Sequence, residues 1–228
     1  MENNRVECVS GVEDSINHDY ITQYIRSLLP VRVGIQAELE RYAMQEHVPI
    51  VQPEVARFLE TLCGLLQPRS ILEVGTAIGY SAMLMYFACE KGPHITTIER
   101  YDKMVEQARR NFERAGMARD VTLIEGDAAL VLDELDGPYD LIFVDAAKGQ
   151  YPLFLQHSLR LLRPGGVLLC DNVLYQGMTA SDEKVIRRKI TIVKRMRDFL
   201  EQVMHHPQLD SSLLPLGDGV TISRKRPD

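Results

Sequence analysis

Between Ile71 and Cys170, short apolar runs alternate with longer amphipathic stretches: ILEV at 71–74, HITTI at 94–98, VTLI at 121–124, LIFV at 141–144 and GVLLC at 166–170. Continuously apolar runs of this length suit strands buried on both faces. The connections, about 15 to 25 residues each, suit crossover helices, so the pattern predicts a parallel sheet. The spacer at 101–116 carries Met104, Val105, Ala108 and Phe112 at helical spacing and stops at Gly116. Pro164-Gly165 turns the chain into the fifth strand. Beyond Cys170 a loop leads to a helix predicted over 182–205, with Ile186, Ile190, Val193, Met196, Leu200 and Val203 as its apolar stripe. Strands at 212–216 and 219–224, split by Gly217-Asp218, predict a closing hairpin. Ahead of Ile71, helices are predicted over 15–28, 32–47 and 53–66, with breaks at Pro30 and Pro49. No repeat or linker interrupts the chain. One domain follows, with a helical N-terminal extension over 1–66 and a core over 67–228.

Composition narrows the function classes. The 228 residues are 45% hydrophobic and 25% charged, average for a globular chain with one sizeable core. A net charge of -6 excludes a uniformly basic coat for nucleic acid, so any RNA partner needs a local patch. Cys8, Cys63, Cys89 and Cys170 are scattered without metal-binding spacing, and MENNRVECVSGVEDS lacks the layout of a secretion signal. Buried thiols in a reducing cytoplasm are expected. No run approaches the roughly 18 apolar residues of a membrane helix, so no membrane partner is expected.

In an open parallel sheet, ligands bind beyond the carboxyl ends of the strands. After the first run stands Glu73-Val-Gly75-Thr-Ala-Ile-Gly79-Tyr-Ser81, a glycine turn opening a helix whose free N–H groups can hold an anion. Alone it reads equally well as a plain tight turn. Glu99 ends the second run, suited to the two hydroxyls of a ribose, and Gly126-Asp127-Ala128 follows the third, suited to an adenine edge. Each acid singly could be a turn residue or helix cap; together, with no P-loop lysine, they outline an adenosine cofactor. Asp145 ends the fourth run and Asp171-Asn172 the fifth. Three hard oxygen donors at neighbouring strand tips suit Mg²⁺ with exchangeable waters. Lys148, three residues beyond Asp145, would face the same crevice as a candidate amine base, although a loop lysine is more often a solvated charge.

These residues resemble the metal-dependent class I S-adenosylmethionine O-methyltransferases of the catechol and caffeoyl-CoA type, over nearly the whole chain. ILEVGTAIGYSA resembles the cofactor loop, TTIER the ribose acid, EGDA the adenine contact, FVDAAK the first metal ligand and lysine, and CDNVL the remaining ligands. The resemblance implies a Rossmann-like α/β fold with a mostly parallel seven-stranded sheet. It implies that Val51, Glu73, Ser81, Glu99, Asp127 and Asp145 contact S-adenosylmethionine and that Asp145, Asp171 and Asn172 bind Mg²⁺. Ala77 stands where many class I enzymes have a second glycine. FVDAAKGQY, DNVLYQGM, the RRK stretch, HHP and LGDGVTISRKR further resemble a bacterial branch that methylates 5-hydroxyuridine at the tRNA wobble position. That branch implies a homodimer and a tRNA anticodon loop as partner.

The charge pattern bears on the RNA reading independently. Residues 184–197 hold Lys184, Arg187, Arg188, Lys189, Lys194, Arg195 and Arg197 and no acid, mostly off the apolar stripe. Such a run is often a solvated face. Its single sign in an acidic protein, joined by Arg224-Lys225-Arg226 and extended by Arg32 and Arg41, is also what a phosphate backbone requires. Two other readings stay open: methylation of a catechol-like small molecule by the same metal chemistry, and a non-catalytic cofactor-binding scaffold. The intact set Asp145, Lys148, Asp171 and Asn172 weighs against the second.

Overall fold

The computed structural model describes residues 16–227. The position of Cys8 and the first residue of the helix predicted over 15–28 lie outside them. The apolar runs form strands β1 (Ser70–Val74), β2 (His94–Glu99), β3 (Val121–Glu125), β4 (Tyr139–Val144) and β5 (Leu162–Cys170), and the C-terminal hairpin forms β6 (Leu209–Leu214) and β7 (Val220–Lys225). Their order in the single sheet is β3-β2-β1-β4-β5-β7-β6. The first five are parallel; β7 pairs antiparallel with β5 and with β6. The order reverses direction between β1 and β4, where open α/β sheets form their binding crevice beyond the strand ends.

Helices cover both faces. Along each central strand, alternate residues enter different cores, because successive side chains point to opposite faces. Ile71, Leu141, Phe143, Val167 and Leu169 join one cluster with α2 (Gly34–Gln45), α3 (Pro53–Leu66), α4 (Tyr80–Ala88) and α5 (Asp102–Arg114). Leu72, Val74, Ile142, Val144, Leu168 and Cys170 join the other with α6 (Ala128–Glu134), α7 (Tyr151–Leu161) and α8 (Ile190–His205). Burying each such side chain stabilises the fold by about 1.5–3 kcal/mol. The N-terminal helices are unequal partners. Val55, Ala56, Leu59 and Cys63 of α3 are wholly buried, whereas α1 (Asp19–Leu28) buries no residue. It docks through Arg26, which donates to Glu54 at 2.8 Å and to Gln52 at 2.8 Å.

Two expected elements differ. The helix predicted over 182–205 is α8 alone, preceded by one-turn 3-10 segments at Asp182–Lys184 and Arg187–Lys189 with extended backbone at Val185 and Ile186 between them. Lys184 would fall one turn from Arg187 and Arg188 in a continuous helix, where like charges repel, and adjacent β-branched residues favour the extended form. Ile186 and Ile190 are therefore 46% and 41% exposed rather than part of the buried stripe, which gains Phe199 instead. The hairpin's first strand starts earlier, at Leu209, and ends before Pro215, whose ring removes a ladder donor. Of the three described cysteines, all free, Cys63 and Cys170 are buried as expected and Cys89 is half-buried.

Candidate active site

The expected cofactor residues converge at the ends of β1–β3. Glu73 is wholly buried on the α4 side of the sheet, where its two carboxylate oxygens accept from Ser81 Oγ and Thr97 Oγ1, each at 2.5 Å. Thr97 is its register partner on β2 and also meets Thr76 Oγ1 at 2.5 Å. Burial pushes the Glu73 carboxyl up to about 7 against the opposing pull of those two hydroxyls. Gly75, at φ 103°, lies so near β4 that a Cβ there would meet the Asp145 carbonyl oxygen at 2.1 Å, so only glycine lets the loop cross the crevice. Ala77 adopts the left-handed region, φ 46°, a conformation that favours glycine. Its N–H donates to Glu99 Oε2 at 2.9 Å, while Glu99 Oε1 accepts from the N–H groups of Arg100 and Tyr101. Glu99 thus ties the glycine loop to the end of β2. Asp127 caps α6, accepting from the Ala129 N–H at 2.9 Å, and its other oxygen is 3.9 Å from Arg100. Gly126 donates to the Glu99 carbonyl, which holds Gly126-Asp127-Ala128 beside the end of β2. Val51 is buried in the larger core cluster, in the loop ahead of α3. The backbone-lined turn and its flanking acids fit an adenosine cofactor.

The second half of the site lies across the crevice. Asp145 N–H donates to the Val74 carbonyl and Asp171 N–H to the Val144 carbonyl, so each acid extends the sheet by one step and the two occupy adjacent strand tips. Asp145 Oδ1 accepts from Asn172 Nδ2 at 2.8 Å, and Asp171 Oδ1 accepts from the Asn172 N–H at 2.7 Å. Asn172 is left-handed, φ 60°, a conformation asparagine tolerates better than most residues. Asp171 is 2% exposed. Burial first, then the neighbouring Asp145 charge, holds its carboxyl well above the usual range. Asp145 is also raised by burial, with Lys148 and Asn172 pulling it back. Buried Tyr151 fastens the two tips, donating to the Asp171 carbonyl at 2.7 Å with the Val144 carbonyl at 3.3 Å. Among the described residues no three His, Cys, Asp or Glu side chains gather around an ion site; the donors here are two carboxylates and an amide. Two desolvated carboxylates at adjacent strand tips, only partly offset by Lys148, fit a hard divalent cation.

The O-methyltransferase family model matches residues 31–226. The chain belongs to the O-methyltransferase family. It is 33% identical over 192 residues to catechol O-methyltransferase of Mycobacterium tuberculosis, covering 83% of this chain and 79% of that protein. It is 39% identical to catechol O-methyltransferase of Niastella koreensis over a shorter stretch of 131 residues, 56% of this chain and 59% of that one. The O-methyltransferase from Bacillus cereus, solved in complex with SAH, superposes with a TM-score of 0.79 at 28% identity, covering 91% and 97% of the two chains. The fold of this O-methyltransferase is the Rossmann-like α/β methyltransferase fold expected from its sequence.

The basic residues do not form one patch in this O-methyltransferase. Arg187 and Arg188 are exposed, Lys194 is exposed on α8, and Lys189 lies with its ammonium 4.7 Å from the centre of the Tyr175 ring. Lys148 reaches the same ring at 5.7 Å, so this cluster borders the Asp145–Asp171 crevice. Arg195 and Arg197 are turned to carbonyls, those of Gly149 and of Met178 and Thr179, and Arg197 also pairs with Asp182. Arg32 is only 14% exposed at its side chain and pairs with Glu60 at 2.6 Å and Glu40 at 2.9 Å, so its charge is spent inside the N-terminal helices rather than offered to phosphate. Arg41 bonds the Ala37 carbonyl one turn back. Arg224 pairs in register with Val167, at the end of the β5–β7 ladder away from Asp171, and Lys225 donates to the Leu159 and Leu162 carbonyls. The expected link between the two basic stretches is therefore absent: antiparallel β7 carries its C-terminal cations away from the crevice. Sequence reasoning missed Thr97, Tyr151 and Tyr175. The first had a signal, a polar residue inside an apolar run at the strand position facing Glu73.

Proposed function

We propose that this chain transfers the methyl group of S-adenosylmethionine to the 5-hydroxyl of 5-hydroxyuridine at the tRNA wobble position, giving 5-methoxyuridine. The cofactor supplies an electrophilic sulfonium methyl. Mg²⁺ held by Asp145, Asp171 and Asn172 would supply Lewis acidity that favours the acceptor hydroxyl as its anion. Lys148 accepts the hydroxyl proton at Nζ, Glu99 and Asp127 orient the cofactor, and Gly75 with Ser81 keeps the loop close to the crevice. Holding acceptor and methyl donor in line accounts for much of the acceleration.

The observation that supports the RNA reading is that Lys148, which acts on Asp145 and Asp171, and Lys189 approach one Tyr175 ring, while Arg187 and Arg188 stand exposed in the same turn as Lys189, in a protein of net charge -6. A looped-out pyrimidine could reach the acids while its neighbouring phosphates meet those cations. A catechol-like small molecule is the second reading, favoured by the names of the two curated relatives above. We further propose a cytoplasmic homodimer; the exposed Tyr20, Tyr24, Leu28, Val31 and Val33 of α1 and the segment after it support self-association. Among the described residues no helix is long and apolar enough to cross a membrane. Nucleoside mass spectrometry of tRNA from cells lacking the protein tests the substrate. Loss of 5-methoxyuridine with gain of 5-hydroxyuridine is expected; an unchanged nucleoside profile rejects the tRNA reading.

A further inference from the structure

The loop that follows the second acid has an unusual shape. Tyr175 and Gln176 are both left-handed, φ 47° and 57°, and Gly177 continues at φ 74°. Bonds from outside the loop fix this shape: Val173 N–H donates to the Gly219 carbonyl, Leu174 N–H to the Asp218 carbonyl and Gln176 N–H to Asp218 Oδ1. Arg197 holds the far side through the Met178 and Thr179 carbonyls. The product of this bracing is the position of one aromatic ring, which two ammonium groups from different elements approach. Lys148 comes from the 3-10 turn Lys148–Gln150 after β4, and Lys189 from the turn ahead of α8. Their distances from the ring centre, 5.7 and 4.7 Å, lie within the reach of cation–π attraction.

A lysine on a four-carbon stem has many rotamers and little to select one at a rim open to solvent. The carboxylates alone would draw Lys148 toward Asp145 and Asp171, whereas the ring offers a competing hold. We propose that Tyr175 is a positioning residue, its ring being the platform that keeps the Lys148 ammonium at the mouth of the crevice and links it to the basic turn through Lys189. This rests on the reading of Lys148 as proton acceptor: the ring holds the side chain in place as the ammonium, which gives a proton to solvent before the free amine takes the one from the acceptor hydroxyl. The ring, not the hydroxyl, carries the effect.

Two measurements on the full chain test it. In NMR of protein whose lysine amines carry ¹³C-methyl groups, the signals of Lys148 and Lys189, assigned with Lys148→Arg and Lys189→Arg, should be displaced upfield by the ring current. Tyr175→Leu should return both to the bulk lysine position and Tyr175→Phe should keep them displaced. In kinetics, Tyr175→Leu should lower kcat about tenfold with KM for S-adenosylmethionine unchanged, on whichever of hydroxyuridine tRNA or catechol the wild type methylates, and Tyr175→Phe should restore it. Bulk-position signals in the wild type, an unaltered kcat in Tyr175→Leu, or a Tyr175→Phe variant as impaired as Tyr175→Leu would overturn the proposal. Turnover of catechol alone would discard the tRNA reading and leave the platform standing. If neither acceptor reacts, the NMR result decides it.

Discussion

The two halves of the crevice use buried acids in opposite ways. On the cofactor side, Glu73 and Glu99 are built into the fold: one is clasped by two hydroxyls, the other by three backbone N–H groups. On the acceptor side, Asp145 and Asp171 share the backbone and amide of a single asparagine; burial disfavours the charge on both, and the Asp145 charge adds to the cost at Asp171. Hydrogen bonds offset part of the burial cost in the first pair, whereas in the second burial and the proximity of the two acids disfavour the charge that a cation would restore. The first pair supports the architecture, and on the proposed reading the second is a binding device that the architecture holds against its own preference. Removing an acid should therefore harm folding on one side and chemistry on the other.

The largest expected contrast comes from Asp145→Asn. Methyl transfer at saturating cofactor and Mg²⁺ should fall by about a thousandfold or more, while the thermal midpoint of the ligand-free protein at pH 8 should hold or rise. A fall in the midpoint with activity kept would reverse the assignment of the two halves. Next in size is the pH dependence arising from Glu73. Its carboxyl titrates near 7 when folded and near 4.5 otherwise, so between those values the folded chain holds a proton the unfolded chain has released. Stability should fall as pH rises through that window, by about 3 kcal/mol from this group, and Glu73→Gln should flatten that part of the curve. Denaturant titrations from pH 4.5 to 8 read it directly. Ser81→Ala should cost about 1–3 kcal/mol of stability by leaving one oxygen of Glu73 unpaired, and should weaken cofactor binding more than it lowers kcat. The smallest effect belongs to the surface. Charge reversal at Arg187 and Arg188 should raise KM for tRNA about tenfold at low salt and flatten the salt dependence of binding by about one to two in log–log slope, with catechol turnover as the control.

Much of the sheet was legible because parallel strands buried on both faces read as apolar runs, and the strand-end rule then placed Glu99, Asp127, Asp145 and Asp171 at strand ends without knowledge of the topology, whereas Glu73 lies inside β1. Two things were not legible. The stretch 182–189 has apolar residues at helical spacing, yet repulsion among Lys184, Arg187 and Arg188 and the extended preference of Val185-Ile186 break it, and periodicity does not register either effect. The fate of a charge was equally hidden. Arg32 and Arg187 look alike in sequence, but two glutamates from α2 and α3 converge on the first, and Arg224 is carried off by strand direction alone. Pairing is decided by tertiary neighbours, which a run of like charges does not reveal. Tyr175 was hidden for the same reason, since its importance lies in which lysines the fold brings to its ring.

Whether the acceptor-side acids form a cation site is read most directly by Mn²⁺ titration followed by electron paramagnetic resonance, with magnesium as competitor. The wild-type protein should take up one Mn²⁺ per chain that Mg²⁺ displaces, and Asp171→Asn and Asp145→Asn should each abolish that signal while Glu73→Gln retains it. A wild-type protein that takes up no ion, or an ion bound equally well after both substitutions, would contradict it.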